Sequence, residues 1–278
     1  MLDDHEILER TEIAGGGLDV LARDAEGREV RLWLGCEGSA GLDLEPLKAA
    51  LARVYHSSLP RVLAAETHDG RAALRFESYR GRRLTDRIAE GPLAAPEAID
   101  IVRAAAAALV KAHAKGVEHG GITAADILLA DDGRTLLLHT GFGPWLGDRP
   151  PRAPGEAAAV PGAGDVFALS RVLIQALEGA DPFPGAEPSP PRDEASFDPA
   201  LPQGLRRLLA RAVAPDAARR MVRAEELAGD LGVMRASWDS MFAPPASPGD
   251  AWRGVLVRVG LAAAVVLGAW AAFRALWH

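Results

Sequence analysis

The feature that most constrains the fold is a change in hydrophobic periodicity near residue 82. Before this point, short alternating segments such as Val30–Leu34 and Ala72–Phe76 predict β-strands. After it, apolar residues recur at helical spacing, most clearly in an alanine-rich run that begins at Pro96 and stops before Gly116. Strands and helices segregated along the chain predict an α+β fold with two lobes, a β-rich lobe followed by a helical one.

The C-terminal segment 254–277 is apolar on every face. Between Arg258 and Arg274 it has fifteen residues without charge or proline, and it reaches membrane-spanning length if both arginines extend toward lipid headgroups. Trp252 and Trp277 stand at its ends, where an aromatic belt would place them. We predict a single transmembrane helix here, with a buried or amphipathic helix of a soluble domain as the alternative.

The charge balance and the cysteine content narrow the range of functions. A net charge of −7 argues against a nucleic-acid partner, because phosphate contacts require a basic surface. The single cysteine, Cys36, cannot form an intrachain disulfide and indicates a reducing compartment. Arg253 and Arg258 precede or open the apolar segment and favour a cytoplasmic N-terminal side. We therefore expect a single-pass membrane protein whose N-terminal domain lies in the cytoplasm.

Three segments of the helical half carry a resemblance to a known family. Leu109–His119 ends a helical run on a histidine, Asp165–Leu169 reads Asp-Val-Phe-Ala-Leu, and Arg220–Leu227 ends in Ala-Glu-Glu-Leu. In this order and spacing they resemble the bacterial serine/threonine protein kinase family, over about residues 5 to 236. The resemblance implies a bilobal protein-kinase-like fold in which His119, Asp165 and Arg220 hold structural positions. The implied parts are an N-lobe at 1–80, a helical C-lobe at 81–236, a linker at 237–253 and the transmembrane helix at 254–277.

The catalytic positions of that family are substituted in this chain. Phosphoryl transfer depends on a lysine, an aspartate beside the nucleophile, and metal-binding aspartate and asparagine side chains. The resemblance places Gly121 at the catalytic aspartate, and glycine has no side chain to accept a proton. The other substituted positions are Trp33 at the strand lysine, Leu47 at the glutamate that pairs with it, Thr123 at the helper lysine and His139 at the metal-binding aspartate. We therefore expect that transfer by the family's usual route is lost.

The positions that bind nucleotide and metal in the family are also altered. The glycine loop is represented by a glycine run in which Glu12 and Asp19 would oppose an anion. Its candidate residues are Gly15, Gly16 and Gly17. Asp126 replaces the metal-binding asparagine and is a candidate metal ligand. We expect no cofactor, and ATP with Mg²⁺ is the alternative.

Several other residues near these motifs are interpreted as structural. His139 is expected to be a partly buried polar residue at a strand end, and Cys36 a small buried residue. Arg80, Arg82 and Arg83 are expected to form solvated surface. Asp131-Asp132-Gly133 predicts a hairpin turn, because Asp and Gly suit its tight backbone. Residues 147–162, rich in Pro, Gly and Ala, predict a mobile loop.

These observations lead to three hypotheses about function. The first is a membrane-anchored pseudokinase, a signalling, binding or scaffolding module that recruits a protein partner such as an active kinase. The second is an atypical but active serine/threonine protein kinase that uses Asp126 as a metal ligand. The third is a structural anchor whose membrane helix self-associates through the small residues Gly260, Ala264 and Gly268.

Overall fold

A computed structural model gives the arrangement of residues 5–13, 16–143, 160–183, 192–216 and 218–242. The chain divides into two compact units, Met1–Arg235 and Ala236–His278. Within the described ranges, no helix is both long and apolar enough to cross a membrane. The predicted transmembrane segment 254–277, most of the predicted loop at 147–162, and Gly15 lie outside the described residues.

A strand-rich part is followed by a mainly helical part, as predicted, with a helix among the strands and a hairpin among the helices. The strands are β1 (Glu6–Ile13), β2 (Gly17–Arg23), β3 (Glu29–Leu34), β4 (Val62–His68), β5 (Arg71–Glu77), β6 (Gly81–Arg83), β7 (Ile127–Ala130) and β8 (Thr135–Leu137). The helices are α1 (Glu45–Leu51), α2 (Leu84–Ala89), α3 (Ala95–His113), α4 (Ala163–Glu178), α5 (Gln203–Ala212) and α6 (Ala224–Phe242).

The N-terminal lobe is a five-stranded antiparallel sheet with the strand order β1-β2-β3-β5-β4, joined by α1. In the β2–β3 register Asp19 lies directly opposite Trp33. Because side chains alternate along a strand, Arg31, two residues before Trp33, points to the same face as both. The predicted strands therefore place two charged residues and a tryptophan together on one face of the sheet.

The C-terminal lobe is built on α3 and α4, which pack together beside a small sheet of order β6-β7-β8. Pro96 lies in the first turn of α3, where its missing N–H costs no helical hydrogen bond. Small side chains such as Ala105 and Ala108 form the fully buried face of α3 and permit close helix approach. The predicted hairpin between β7 and β8 is confirmed, since Gly133 has a φ of 84° and its N–H donates to the Ala130 carbonyl.

The core between the two sheets is continuous. One apolar cluster includes Trp33 and Phe76 from the five-stranded sheet and Leu128 and Leu136 from the three-stranded sheet. Phe142, which follows β8, is fully buried in the same cluster. The cleft between the sheets is therefore lined by residues that belong to the core, and this arrangement positions the candidate site.

Two expectations about individual residues need correction. Cys36 follows β3 and is partly exposed, not buried, because it lies at the rim of a surface groove of about 340 Å³. Arg83 does not belong to the solvated surface: its side chain is only 12% exposed, because β6 pairs with β7 and turns it toward the cleft. Arg80 and Arg82 do lie at the surface, where they pair with Glu29 and Glu90.

Candidate functional site

Trp33 fills the centre of the cleft. It is 1% exposed, and its indole Nε1 donates a hydrogen bond of 2.7 Å to the hydroxyl of Tyr79, in the segment after β5. Its ring lies 3.8 Å from the Phe76 ring and 4.9 Å from the His139 ring, measured between centroids. Burial raises the pKa of Tyr79, so the phenol stays neutral beside the indole. The indole of Trp33 therefore bridges the cleft and is bonded at its far end.

Asp19 is the centre of a buried group of charges in the same cleft. Its carboxylate is fully buried and accepts hydrogen bonds from the guanidinium groups of Arg31 and Arg83. The ring nitrogen Nε2 of His139 lies 3.5 Å from one carboxylate oxygen. Burial alone would raise the pKa of Asp19, but the His139 ring and the two arginines together lower it well below its ordinary value. The carboxylate is therefore charged in the folded protein.

Arg31 occupies the space next to Tyr79. Its guanidinium carbon lies 5.0 Å from the centroid of the Tyr79 ring, a cation–π distance, and a second nitrogen bonds Glu9 at 3.0 Å. Burial on its own would lower the pKa of Arg31, but the charge of Asp19 raises it above its ordinary value. The guanidinium is thus a fixed cation between β3 and the segment after β5.

His139 joins this charge cluster to the three-stranded sheet. It is fully buried rather than partly buried as predicted, and its Nδ1 lies 2.7 Å from the Asp126 carboxylate. Its φ of 56° is in the left-handed region, which costs free energy for a side chain other than glycine and needs support from its surroundings. The other oxygen of Asp126 accepts two hydrogen bonds of 2.8 Å from Thr123, one from its N–H and one from its hydroxyl.

The loop that contains His119 and Gly120 is held against α4 by Asp165. The Asp165 carboxylate accepts hydrogen bonds from the backbone N–H groups of His119 at 2.7 Å and Gly120 at 2.9 Å, and it contacts the His113 ring at 2.9 Å. Burial would raise the pKa of Asp165, but the hydrogen bond with His113 and those with the loop lower it. The His119 ring bonds the Leu138 carbonyl at 2.7 Å. These contacts hold the loop in place and need no bound ligand.

The remaining predicted site residues lie at separate places in the fold. Gly121, with a φ of 132°, follows Gly120 in the loop tied to Asp165. Leu47 lies on α1 and packs against Gly141, where an added β-carbon would lie 2.5 Å from a Leu47 methyl. Arg220 is buried before α6, with its guanidinium 5.2 Å from the Phe167 ring.

The two described glycines of the candidate loop lie away from the charge cluster. Gly16 has a φ of 78° and its carbonyl accepts a hydrogen bond of 2.8 Å from Arg71, while Gly17 opens β2. Glu12 pairs with Leu18 across the β1–β2 hairpin. Gly16 and Glu12 line the surface groove near Cys36, not the buried cleft.

The residues in the cleft do not fit a magnesium–nucleotide complex. The guanidinium of Arg31 lies over the ring of Tyr79, and the indole of Trp33 is bonded to the hydroxyl of the same tyrosine. Asp126 already binds Thr123 and His139. Over the part of the chain that the structure describes, no set of three His, Cys, Asp or Glu side chains is arranged to hold a metal ion.

Sequence reasoning singled out Trp33, His139 and Asp126 as candidate positions but missed Arg31 and the cleft position of Arg83. One signal was present, since Asp19 and Arg31 are charges in the interior of β2 and β3, whose other charges, Arg23 and Glu29, stand at strand ends. A buried charge needs a partner, so opposite charges in neighbouring strands predict a pair. Arg83 gave no such signal, because its strand forms only through pairing with β7.

Comparison with known proteins places this architecture in a defined fold class. No protein-family model matches the chain. A probable serine/threonine-protein kinase PknB from Lactococcus lactis subsp. lactis (strain IL1403) is 23% identical over 209 residues, 66% of this chain and 33% of that protein. The chain thus spans about a third of the length of this curated relative.

Solved structures agree with the sequence comparison. The kinase domain of PknI from Mycobacterium tuberculosis matches with a TM-score of 0.68 and 23% identity, covering 84% of this chain and 97% of that one. A double mutant of the same domain matches with a TM-score of 0.70 and 24% identity. The chain therefore has the bilobal protein kinase-like fold, and the expected fold of a β-sheet lobe followed by a helical lobe is confirmed.

Proposed function

We propose that this chain is a pseudokinase, a kinase-like domain that recruits a protein partner and does not transfer phosphate. The observation that carries the proposal is the buried hydrogen bond between Trp33 and Tyr79, which closes the cleft with the protein's own side chains. A nucleotide could enter only after this bond and the surrounding aromatic contacts were broken. The groups that fill the cleft are thus side chains of the protein itself.

The loss of proton transfer and metal binding supports the same proposal. Gly121 has no side chain that could accept a proton from a hydroxyl. His139 is fully buried and held by Asp126, so it is not directed at a substrate. Positioning and charge neutralisation supply nearly all catalysis of phosphoryl transfer, and the resemblance implies that Trp33, Gly121 and His139 replace groups that provide them.

Partner recruitment and membrane attachment complete the proposal. A domain that does not transfer phosphate can act through its surface, and an active kinase is the partner class that we propose. The segment 254–277 would hold the domain at the cytoplasmic side of a membrane as a single-pass anchor. Fractionation of the full chain beside a chain that ends at residue 253 tests the anchor. Recovery of both in the soluble fraction would contradict it.

A phosphotransfer assay on the full chain tests the central part of the proposal. The purified protein is incubated with labelled ATP and Mg²⁺ or Mn²⁺, alone and with a general kinase substrate, beside a catalytically active serine/threonine protein kinase. We expect no incorporation of label above that of a heat-denatured sample. Metal-dependent incorporation that disappears in an Asp126→Ala variant, which has no side-chain oxygen at this position, would instead establish the atypical active kinase.

A further inference from the structure

The buried charges of the cleft connect the two lobes. Asp19 and Arg31 belong to the five-stranded sheet, whereas Arg83 lies in the three-stranded sheet. Arg83 reaches Asp19 with one nitrogen and donates a hydrogen bond of 2.7 Å to the Ala125 carbonyl with another. The same carboxylate lies 3.5 Å from His139, which follows β8. Asp19 is therefore contacted by charged or polar groups from both lobes.

These contacts extend into the helical lobe through hydrogen bonds. His139 bonds Asp126, and the Asp126 carbonyl accepts from the Leu138 N–H at 2.8 Å. The Leu138 carbonyl in turn contacts the His119 ring, and the His119 N–H donates to Asp165 on α4. A continuous polar path thus runs from β2 in the first lobe to α4 in the second.

We propose that Asp19 with Arg83 and His139 forms a clasp that fixes the orientation of the two lobes in the absence of any ligand. The inference deepens the proposed function and rests on it. If the cleft bound nucleotide, the nucleotide and not the clasp would hold the two lobes together. Separation of the lobes would break the contacts of Asp19 with Arg83 and His139 and leave Asp19 with Arg31 in its own sheet. The clasp would keep the two lobes in the orientation in which the domain binds its partner.

The geometry distinguishes this role from simple stabilisation of one lobe. Asp24 is also a buried aspartate at the end of β2, but its hydrogen bonds go to Glu26 and Arg28 within the same turn. Asp19 instead bonds a residue 64 positions away in the other sheet. Loss of Asp19 should therefore affect both sides of the cleft, whereas loss of Asp24 should affect only its turn.

Hydrogen–deuterium exchange on the full chain, without nucleotide, tests the clasp. In Asp19→Asn we expect exchange to rise about tenfold or more in β2, β3 and residues 119–139, with little change in α3, because local opening exposes only the backbone near the cleft. Asp24→Asn is the matched control and should change exchange only around residues 23–28. Unchanged exchange in Asp19→Asn, or an equal rise throughout both lobes, would overturn the clasp.

A second variant covers the case in which Asp19→Asn does not fold. Arg83→Gln removes the charge on the side of the second lobe and leaves the pair between Asp19 and Arg31 in place. The same two sides of the cleft should exchange faster, and unchanged exchange would overturn the clasp. Because no nucleotide is present, this outcome is separate from the phosphotransfer assay. Label incorporation in that assay would contradict the proposed function without changing the exchange result. Unchanged exchange would contradict the clasp without changing the result of that assay.

Discussion

Trp33 and Asp19 lie opposite each other in adjacent strands, and the two side chains meet the cleft in different ways. Trp33 contributes apolar area and one hydrogen bond, whereas Asp19 contributes a charge that needs two arginines to offset its desolvation. The resemblance to kinases places Trp33 where that family has a lysine. It could not reveal that the indole reaches Tyr79, since that contact joins residues 46 positions apart.

Truncation of Trp33 should be strongly destabilising. Trp33→Ala removes a fully buried aromatic side chain and leaves Tyr79 without its hydrogen-bond partner, for a loss of about 3–5 kcal/mol in the free energy of unfolding. Trp33→Phe is the matched control, because it keeps the aromatic ring and loses the hydrogen bond, at about 1 kcal/mol. Urea unfolding of the full chain measures both. Equal and small losses would contradict a closed core at this position.

Asp165 should make stability depend on acid pH. Its pKa is lowered in the folded state, so its contribution is present above the pKa of the unfolded chain and is lost as the pH falls through the folded value. The free energy of unfolding should therefore fall below about pH 5, and this fall should be shallower in Asp165→Asn. Asp86→Asn, on the exposed surface of α2, is the control and should keep the steeper dependence. Parallel pH profiles for all three proteins would contradict the assignment.

Among the elements, those with strong periodicity could be predicted and those formed by pairing could not. The alanine-rich pattern placed α3 within two residues of its observed ends. The strand β6 has the sequence Gly-Arg-Arg and no apolar alternation, so it exists because β7 offers hydrogen bonds. Arg83 reaches the cleft for the same reason.

The contact between α1 and the segment after β8 depends on a glycine. Gly141 has a φ of 79°, and a β-carbon there would meet Leu47. Gly141→Ala should lose about 1–3 kcal/mol through overpacking, in addition to about 1–2 kcal/mol for the left-handed backbone. Gly133→Ala is the matched control, with a φ of 84° and no neighbour within 4 Å, and should lose only the backbone contribution.

The double variant separates the two causes. If Leu47 is the obstruction, adding Leu47→Ala to Gly141→Ala should destabilise less than the sum of the single changes, as measured by urea unfolding. Strict additivity would contradict a direct contact between α1 and this segment. Leu47 would then not be the side chain that restricts position 141.

At the scale of the whole molecule, the order of strands and helices was sufficient to predict the bilobal fold. The likeness to a solved kinase domain covers 84% of the chain at 23% identity, which supports the fold. The pair of Asp19 with Arg31 could be anticipated from neighbouring strands, but the contact with Arg83 could not, because it joins residues 64 positions apart through two separate sheets.

The most direct test of the account is equilibrium binding of Mg-ATP to the full chain, measured by isothermal titration calorimetry with an active kinase as the positive control. Binding to the native state would stabilise it by about 2.7 kcal/mol at a hundredfold excess over the dissociation constant, so a thermal shift provides an independent readout. The account predicts no saturable heat and no thermal shift at millimolar nucleotide. Saturable, Mg²⁺-dependent binding to the folded protein would contradict a cleft closed by Trp33 and Arg31.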